Sequence, residues 1–241
     1  MVRITYIILV FVFFSCNTSE GNKEEEDNNI VKSYYDNGKL KSYYTVNDSN
    51  QRHGVAKSFN EDGVLTKSFE FVDGEQVKAV SHYENGNPLL EIYYKDGVKE
   101  GPFRRYYETG QLESEIEYKD NFPGIGLKEY TNTGELRTDY PKLEIKALDQ
   151  IDITGKYTIE VYFDQSPSRG IYYLGDLSEG KFLSSGLEEL KKIRDQGRYV
   201  LKPAPGEVIN KKLSFIGEFE TQQGNKYIAQ KYFNLKIGKD N

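Results

Sequence analysis

From Leu112 to Tyr118 the chain reads Leu-Glu-Ser-Glu-Ile-Glu-Tyr, with apolar or small residues at every second place and glutamates between them. A period of two is the signature of a strand with one face buried. The phrase recurs. Numbered from the anchor glycines Gly38, Gly63, Gly86, Gly110 and Gly134, the second position holds Leu40, Leu65, Pro88, Leu112 and Leu136. The sixth holds Tyr44, Phe69, Ile92, Ile116 and Tyr140, and the eighth Val46, Phe71, Tyr94 and Tyr118. The fifth and seventh positions are mostly polar. The glycines are 25, 23, 24 and 24 residues apart, and a fixed period of this size means an array of repeats.

A second strand precedes each glycine. Four positions back stand Tyr34, Phe59, His82, Tyr106 and Tyr130. Phrases such as Glu108-Thr109-Gly110 between the strands suit a three-residue loop, a type I turn with Gly in the left-handed region. That turn pairs Tyr107 with Gln111 and Tyr106 with Leu112, which sets the aromatic column on the face of the leucines. The expected sheet therefore has leucines and aromatics on one side and charges mainly on the other. Six positions before the glycines lie Lys32, Lys57, Val80, Arg104 and Lys128, a mostly basic column beside the aromatic one. Lys57, Arg104 and Lys128 with Tyr34, Phe59, His82, Tyr106 and Tyr130 form a candidate binding face for an acidic protein, glycan or headgroup. The competing reading is that the cations pair with glutamates of neighbouring strands or are simply solvated and the rings serve packing.

The motif Tyr-x-x-x-Gly-x-Leu, followed by an aromatic pair and Asp-Gly as in Tyr93-Tyr-Lys-Asp-Gly97, and by Gly101-Pro-Phe-Arg-Arg-Tyr106, resembles the bacterial variant of the MORN repeat. The resemblance covers residues 31–140. It departs at Asn47–His53, which lengthens the first connection, and at Asn121–Gly126, which rewrites the last. It implies consecutive β-hairpins in one long twisted antiparallel sheet, each leaning on its neighbours.

Beyond Pro141 the period stops. Lys156–Phe163 alternates, and Leu213–Phe219 and Lys226–Ile237 flank the turn Thr221-Gln-Gln-Gly-Asn225. Leu143–Ala147, Gly170–Leu174 and Tyr199–Leu201 are further strands. Ser185-Gly-Leu-Glu188 matches a capping box, which predicts one short helix over 187–194. This strand density predicts a small β-sandwich, immunoglobulin-like, over 141–241. The whole chain reads as all-β.

Composition changes the picture mainly at the N-terminus. Arg3, the apolar run Ile7–Phe14 and Ser15-Cys16 read as a signal peptide over 1–16, too short for a stable span. Phe13-Phe-Ser-Cys16 resembles a lipobox, which implies a diacylglycerol on Cys16, the single cysteine of the chain. Residues 17–30 are polar and acidic and read as a disordered tether. Their Lys23-Glu-Glu-Glu-Asp27 block resembles the export signal of surface lipoproteins in the Bacteroidota. The expected address is thus the cell envelope, as an outer-membrane lipoprotein held by its lipid; the acidic block reads either as a signal for surface display or as a solvated spacer. The net charge of −6 comes largely from the tether, and the near-neutral remainder gives no reason to expect nucleic acid.

No Gly-x-Ser-x-Gly, Walker loop, His-Glu-x-x-His or cysteine pair is present, and the two histidines, His53 and His82, both lie in the repeats. No enzyme, cofactor or metal site is expected. The leading expectation is a non-catalytic lipid-anchored envelope protein that binds or scaffolds a protein or glycan. The resemblance also implies an antitoxin-like inhibitor of a toxin at the envelope, and a glycan hydrolase built on two carboxylates is a third reading.

Overall fold

The computed structural model describes residues 29–165 and 169–238. Cys16, the leader and all but the end of the tether therefore lie outside the described residues. Strands β1 (Ile30–Tyr34), β2 (Leu40–Val46), β3 (Arg52–Phe59), β4 (Leu65–Val72), β5 (Glu75–His82), β6 (Pro88–Lys95), β7 (Val98–Tyr106) and β8 (Leu112–Lys119) pair in chain order as an antiparallel meander. The short strands β9 (Phe122–Pro123) and β10 (Lys128–Glu129) both pair with β8 and end the sheet.

Two kinds of turn alternate. Within each hairpin the loop is the expected one: Tyr107 N donates to Gln111 O at 2.9 Å and Gly110 N to Tyr107 O at 2.8 Å. The same pair of bonds closes the turns at Gly38, Gly63, Gly86 and Gly134, and all five glycines have φ between 80° and 88°. Between hairpins, Asp73-Gly74, Asp96-Gly97 and Asp120-Asn121 are two-residue loops with positive φ at both residues, the turn whose twist matches that of its strands.

Tyr106 does pair with Leu112. One residue further on, each hairpin carries a bulge at the third position after the glycine, so that Lys41, Thr66, Leu89 and Glu113 have no partner. An extra residue resets the alternation. The expected faces must therefore be corrected. The leucine and aromatic columns at positions +2 and −4 share a face with the basic column, whereas positions +6 and +8 point the other way. Three rows cross the strands as a result. The apolar row runs Val31–Tyr44–Ala56–Phe69–Ala79–Ile92–Phe103–Ile116. Cations lie across the rings of this face: the Arg52 guanidinium is 4.7 Å from the Tyr44 ring and 5.4 Å from that of Phe71, and Lys99 Nζ is 5.2 Å from Phe103.

Residues 143–237 form a two-layer sandwich. One sheet orders β11 (Leu143–Gln150), β12 (Lys156–Phe163), β16 (Gln196–Leu201) and β15 (Lys191–Ile193). The other orders β14 (Glu188–Glu189), β13 (Ile171–Leu174), β17 (Ile209–Glu220) and β18 (Lys226–Ile237). Lettered along the chain these are A-B-E-D against C′-C-F-G, the order of an immunoglobulin-like sandwich. Its core holds Ile159, Val161, Phe163, Tyr172, Phe215 and Leu235. Tyr172 occupies strand C, where antibody domains place tryptophan, and its hydroxyl donates to Asp195 O at 3.0 Å.

The helix expected over 187–194 is absent. Glu188–Glu189 pairs with β13 and Lys191–Ile193 with β16, so the segment crosses from one sheet to the other with Leu190 buried between them. A helix of eight residues is marginal alone, and two sheet edges offer it ladder bonds instead. The one helical turn of the described residues, Ile151–Thr154, joins β11 to β12 and ends at Gly155 in the left-handed region.

Candidate functional site

The basic column and the fifth-position column interleave into one row: Lys32–Tyr43–Lys57–Ser68–Val80–Glu91–Arg104–Glu115–Lys128. Its right-hand half is a chain of ion pairs. Lys78 Nζ lies 3.2 Å from Glu91 Oε2, and Arg104 Nη1 2.9 Å from Glu91 Oε1. Arg104 Nε donates to Glu115 Oε2 at 2.7 Å, and Lys128 Nζ stands 3.5 Å from Glu115 Oε1. The hydrogen bond from Arg104 holds the Glu115 carboxyl below the usual carboxylate value. Burial pushes Glu91 up, but the bonds from Arg104 and Lys78 outweigh it and leave that acid depressed too. Arg104 and Lys128 are thus already neutralised by glutamates, as the pairing alternative anticipated. Lys32 and Lys57, at the far end, have no ion pair among the described residues.

The aromatic column stands along the same face. The Phe59 ring stacks on Tyr43 at 6.3 Å, and His82 Nε2 lies 2.9 Å from Ser68 Oγ. The Tyr106 hydroxyl is pushed up by burial and by the charge of Glu91. Tyr34 is 57% exposed at the edge of the sheet. The predicted residues Tyr34, Phe59, His82, Tyr106, Lys57, Arg104 and Lys128 are therefore gathered on one face. Tyr130 departs from the regular strand after β10, where its carbonyl accepts the hydroxyl of Tyr107 at 2.7 Å.

That last bond belongs to a set that the column reading missed. The residue three before each glycine is Tyr35, Asn60, Tyr83, Tyr107 or Thr131. Tyr35 OH donates to Phe59 O at 2.8 Å, Tyr83 OH to Tyr106 O at 2.9 Å, and Tyr107 OH to Tyr130 O. Each phenol clasps its own hairpin to the next. Asn60 instead accepts the amides of Asp62 and Val64 within its own turn, so the second hairpin lacks a clasp to the third. The signal was present, because three of five residues in this column are tyrosine.

A third row, Ser33–Ser42–Ser58–Lys67–Ser81–Leu90–Arg105–Ser114–Glu129, leads to the joint with the sandwich. The β17–β18 hairpin closes with the same turn as the repeats: Gly224 N donates to Thr221 O, and Gly224 has φ 77°. This tip lies on the last hairpins. Arg105 Nη1 donates to Gln223 O at 3.0 Å, and Gln223 Nε2 to Tyr107 Oη at 3.1 Å. At its centre Glu129, 1% exposed, accepts Thr221 Oγ1 at 2.5 Å, Asn225 Nδ2 at 2.6 Å and Tyr140 OH at 3.1 Å. Burial, then the nearby Glu129, pushes the Tyr140 hydroxyl up. Every hydrogen bond and ion pair between sheet and sandwich among the described residues comes from Arg105 onward.

Comparison with known proteins agrees with this geometry hairpin by hairpin. The family model described as MORN repeat variant matches residues 27–48, 52–73, 76–96 and 99–120. Those segments contain, to within one residue, the hairpins β1–β2, β3–β4, β5–β6 and β7–β8. The expected fifth copy is not matched; it keeps its turn at Gly134, but after the bridge Tyr130–Leu136 it has no second strand. No curated protein matches the chain. Each of the four hairpins thus matches one MORN-variant repeat, and such repeats suggest a binding or scaffolding role.

Proposed function

We propose that the protein is a non-catalytic, lipid-anchored envelope protein whose repeat sheet is a docking surface for a protein or glycan partner, held off the membrane by its tether. The observation that carries this reading is the incomplete second layer. The apolar row crosses eight strands, from Val31 to Ile116, and the sandwich reaches it only from β7 onward. A sheet with a continuous apolar row gains from a covering layer, and β1–β6 have none among the described residues. The lipid on Cys16 supplies the address. The tyrosines of the charged face, largely paired or packed, contribute less to recognition than their number suggests.

A photo-crosslinking residue at Phe69 or Ile92, in cells expressing the full chain, tests the docking surface. A discrete adduct formed there, and not at Lys191 on the sandwich edge, supports it. Absence of adducts at both positions sinks it. The anchor is tested separately by Cys16→Ala, which is expected to move the protein from the membrane to the soluble fraction; continued membrane partitioning refutes it.

A further inference from the structure

Beside the joint, a cavity of about 390 Å³ opens between the end of the sheet and the sandwich. Glu218, on β17, lines it and is only 7% exposed. A carboxylate this far from solvent ordinarily collects short charge-assisted donors. Glu129 has three, and Glu160 has Arg198 at 2.6 Å. The Glu218 carboxylate has no short charged donor among the described residues. Its one cation, Lys226 Nζ, is 3.8 Å away, beyond hydrogen-bond reach. The Tyr173 phenol stands beside it, a neutral donor, pushed up to about 12 by burial first, then by the charges of Glu218 and Glu189 and by its hydrogen bond to the Glu218 carboxylate.

The remaining lining has a definite chemistry. Tyr118, Phe122 and Tyr173 are aromatic walls, and Leu183 and Leu187 add an aliphatic side. Lys99 completes the rim; its ammonium rests 5.1 Å from the Tyr118 ring and makes no ion pair among the described residues. One under-coordinated buried carboxylate, two lysines without a short partner and an apolar wall thus face the same space. A simple amine would answer only the acid, and a simple anion only the lysines.

We infer that this cavity binds a small apolar zwitterion, an α-amino acid with an apolar side chain. Its ammonium lies on the Glu218 carboxylate and its carboxylate between Lys99 and Lys226. Its side chain lies against Phe122, Leu187 and the tyrosines. Because sheet and sandwich both supply contacts, the bound molecule braces the joint. This inference is independent of the docking surface on β1–β6.

The chain contains no tryptophan, so the fluorescence anisotropy of added L-tryptophan reads binding to the full chain without background. The expected result is a saturable rise with Kd on the order of 0.1 mM, reversed by L-leucine. N-acetyl-L-tryptophan, which lacks the ammonium, and tryptamine, which lacks the carboxylate, are each expected to bind at least about tenfold more weakly. Glu218→Gln should weaken L-tryptophan by a similar factor. The two analogues keep the test valid should that variant fail to fold. No saturable rise up to millimolar tryptophan, equal binding of the analogues, or undiminished binding by folded Glu218→Gln would each overturn the assignment.

Discussion

Glu129→Ala removes the acceptor on which the joint converges. Three donors lose it at once: the Thr221 hydroxyl, the Asn225 amide and the Tyr140 phenol. Hydrogen bonds to an ionised group contribute about 1.5–3 kcal/mol each. The three bonds share one carboxylate, and donors at a hairpin tip can regain water, so the effects do not add. We place the loss at about 3–4 kcal/mol, a large part of the roughly 5–15 kcal/mol that holds a domain folded. The loss falls on the contact between sheet and sandwich rather than on either core. Urea unfolding followed by far-UV circular dichroism and tyrosine fluorescence should therefore change shape: Glu129→Ala separates the two signals, with the repeat sheet melting first. Glu129→Gln should lose only about 1–2 kcal/mol, since its amide oxygen still accepts from Thr221 and Asn225. Coincident transitions at the wild-type midpoint in Glu129→Ala would refute the reasoning.

The tyrosine clasps and the ion-pair chain give further tests. Tyr83→Phe deletes one phenol-to-carbonyl bond and should cost about 0.5–1.5 kcal/mol, Tyr107→Phe, which also loses the bond from Gln223, should cost more, and Asn60→Tyr, supplying the missing clasp toward His82, should gain up to about 1 kcal/mol; urea midpoints that order the three variants otherwise contradict the clasp. Glu91 and Glu115 both titrate below the ordinary 4.5 in the folded protein. Their contribution is complete above the unfolded value and is lost as pH falls through the folded values. Denaturation midpoints followed from about pH 6 to about pH 3 should decline less steeply for Arg104→Met than for the wild type. The slope should not vanish, because Lys78 and Lys128 remain; parallel curves would show that Arg104 does not set these acids.

Short-range chemistry was the legible part of the chain. The turns at the anchor glycines, the pairing of Tyr106 with Leu112 and the main sandwich strands all follow from residues a few places apart. What failed depends on longer range. The bulge at Lys41, Thr66, Leu89 and Glu113 leaves no residue-type signature, because an unpaired strand position tolerates Lys, Thr, Leu and Glu alike; missing it reversed the facing of two columns. Leu187–Arg194 satisfied a local capping rule, yet its conformation is decided by sheet edges contributed by Tyr173 and Arg198. Glu129 sits in a column otherwise filled by Ser33, Ser58, Ser81 and Arg105. That break was visible, but its partners lie some ninety residues away, at Thr221 and Asn225.

The sandwich meets the array through a turn of the array's own kind, and this gives the molecule a sealed end and an open one. A meander of hairpins has no built-in length, since each unit touches only its neighbours. Here the β17–β18 tip and Glu129 act as a stopper after the last unit, whereas β1 pairs only with β2 among the described residues. Gain or loss of one 24-residue unit upstream of β7 would leave the stopper untouched and change the reach of the sheet by about 10 Å, two strand spacings. The array is in this sense an adjustable ruler fixed at its C-terminal end, and homologues of different repeat number would present the same joint at different distances from β1.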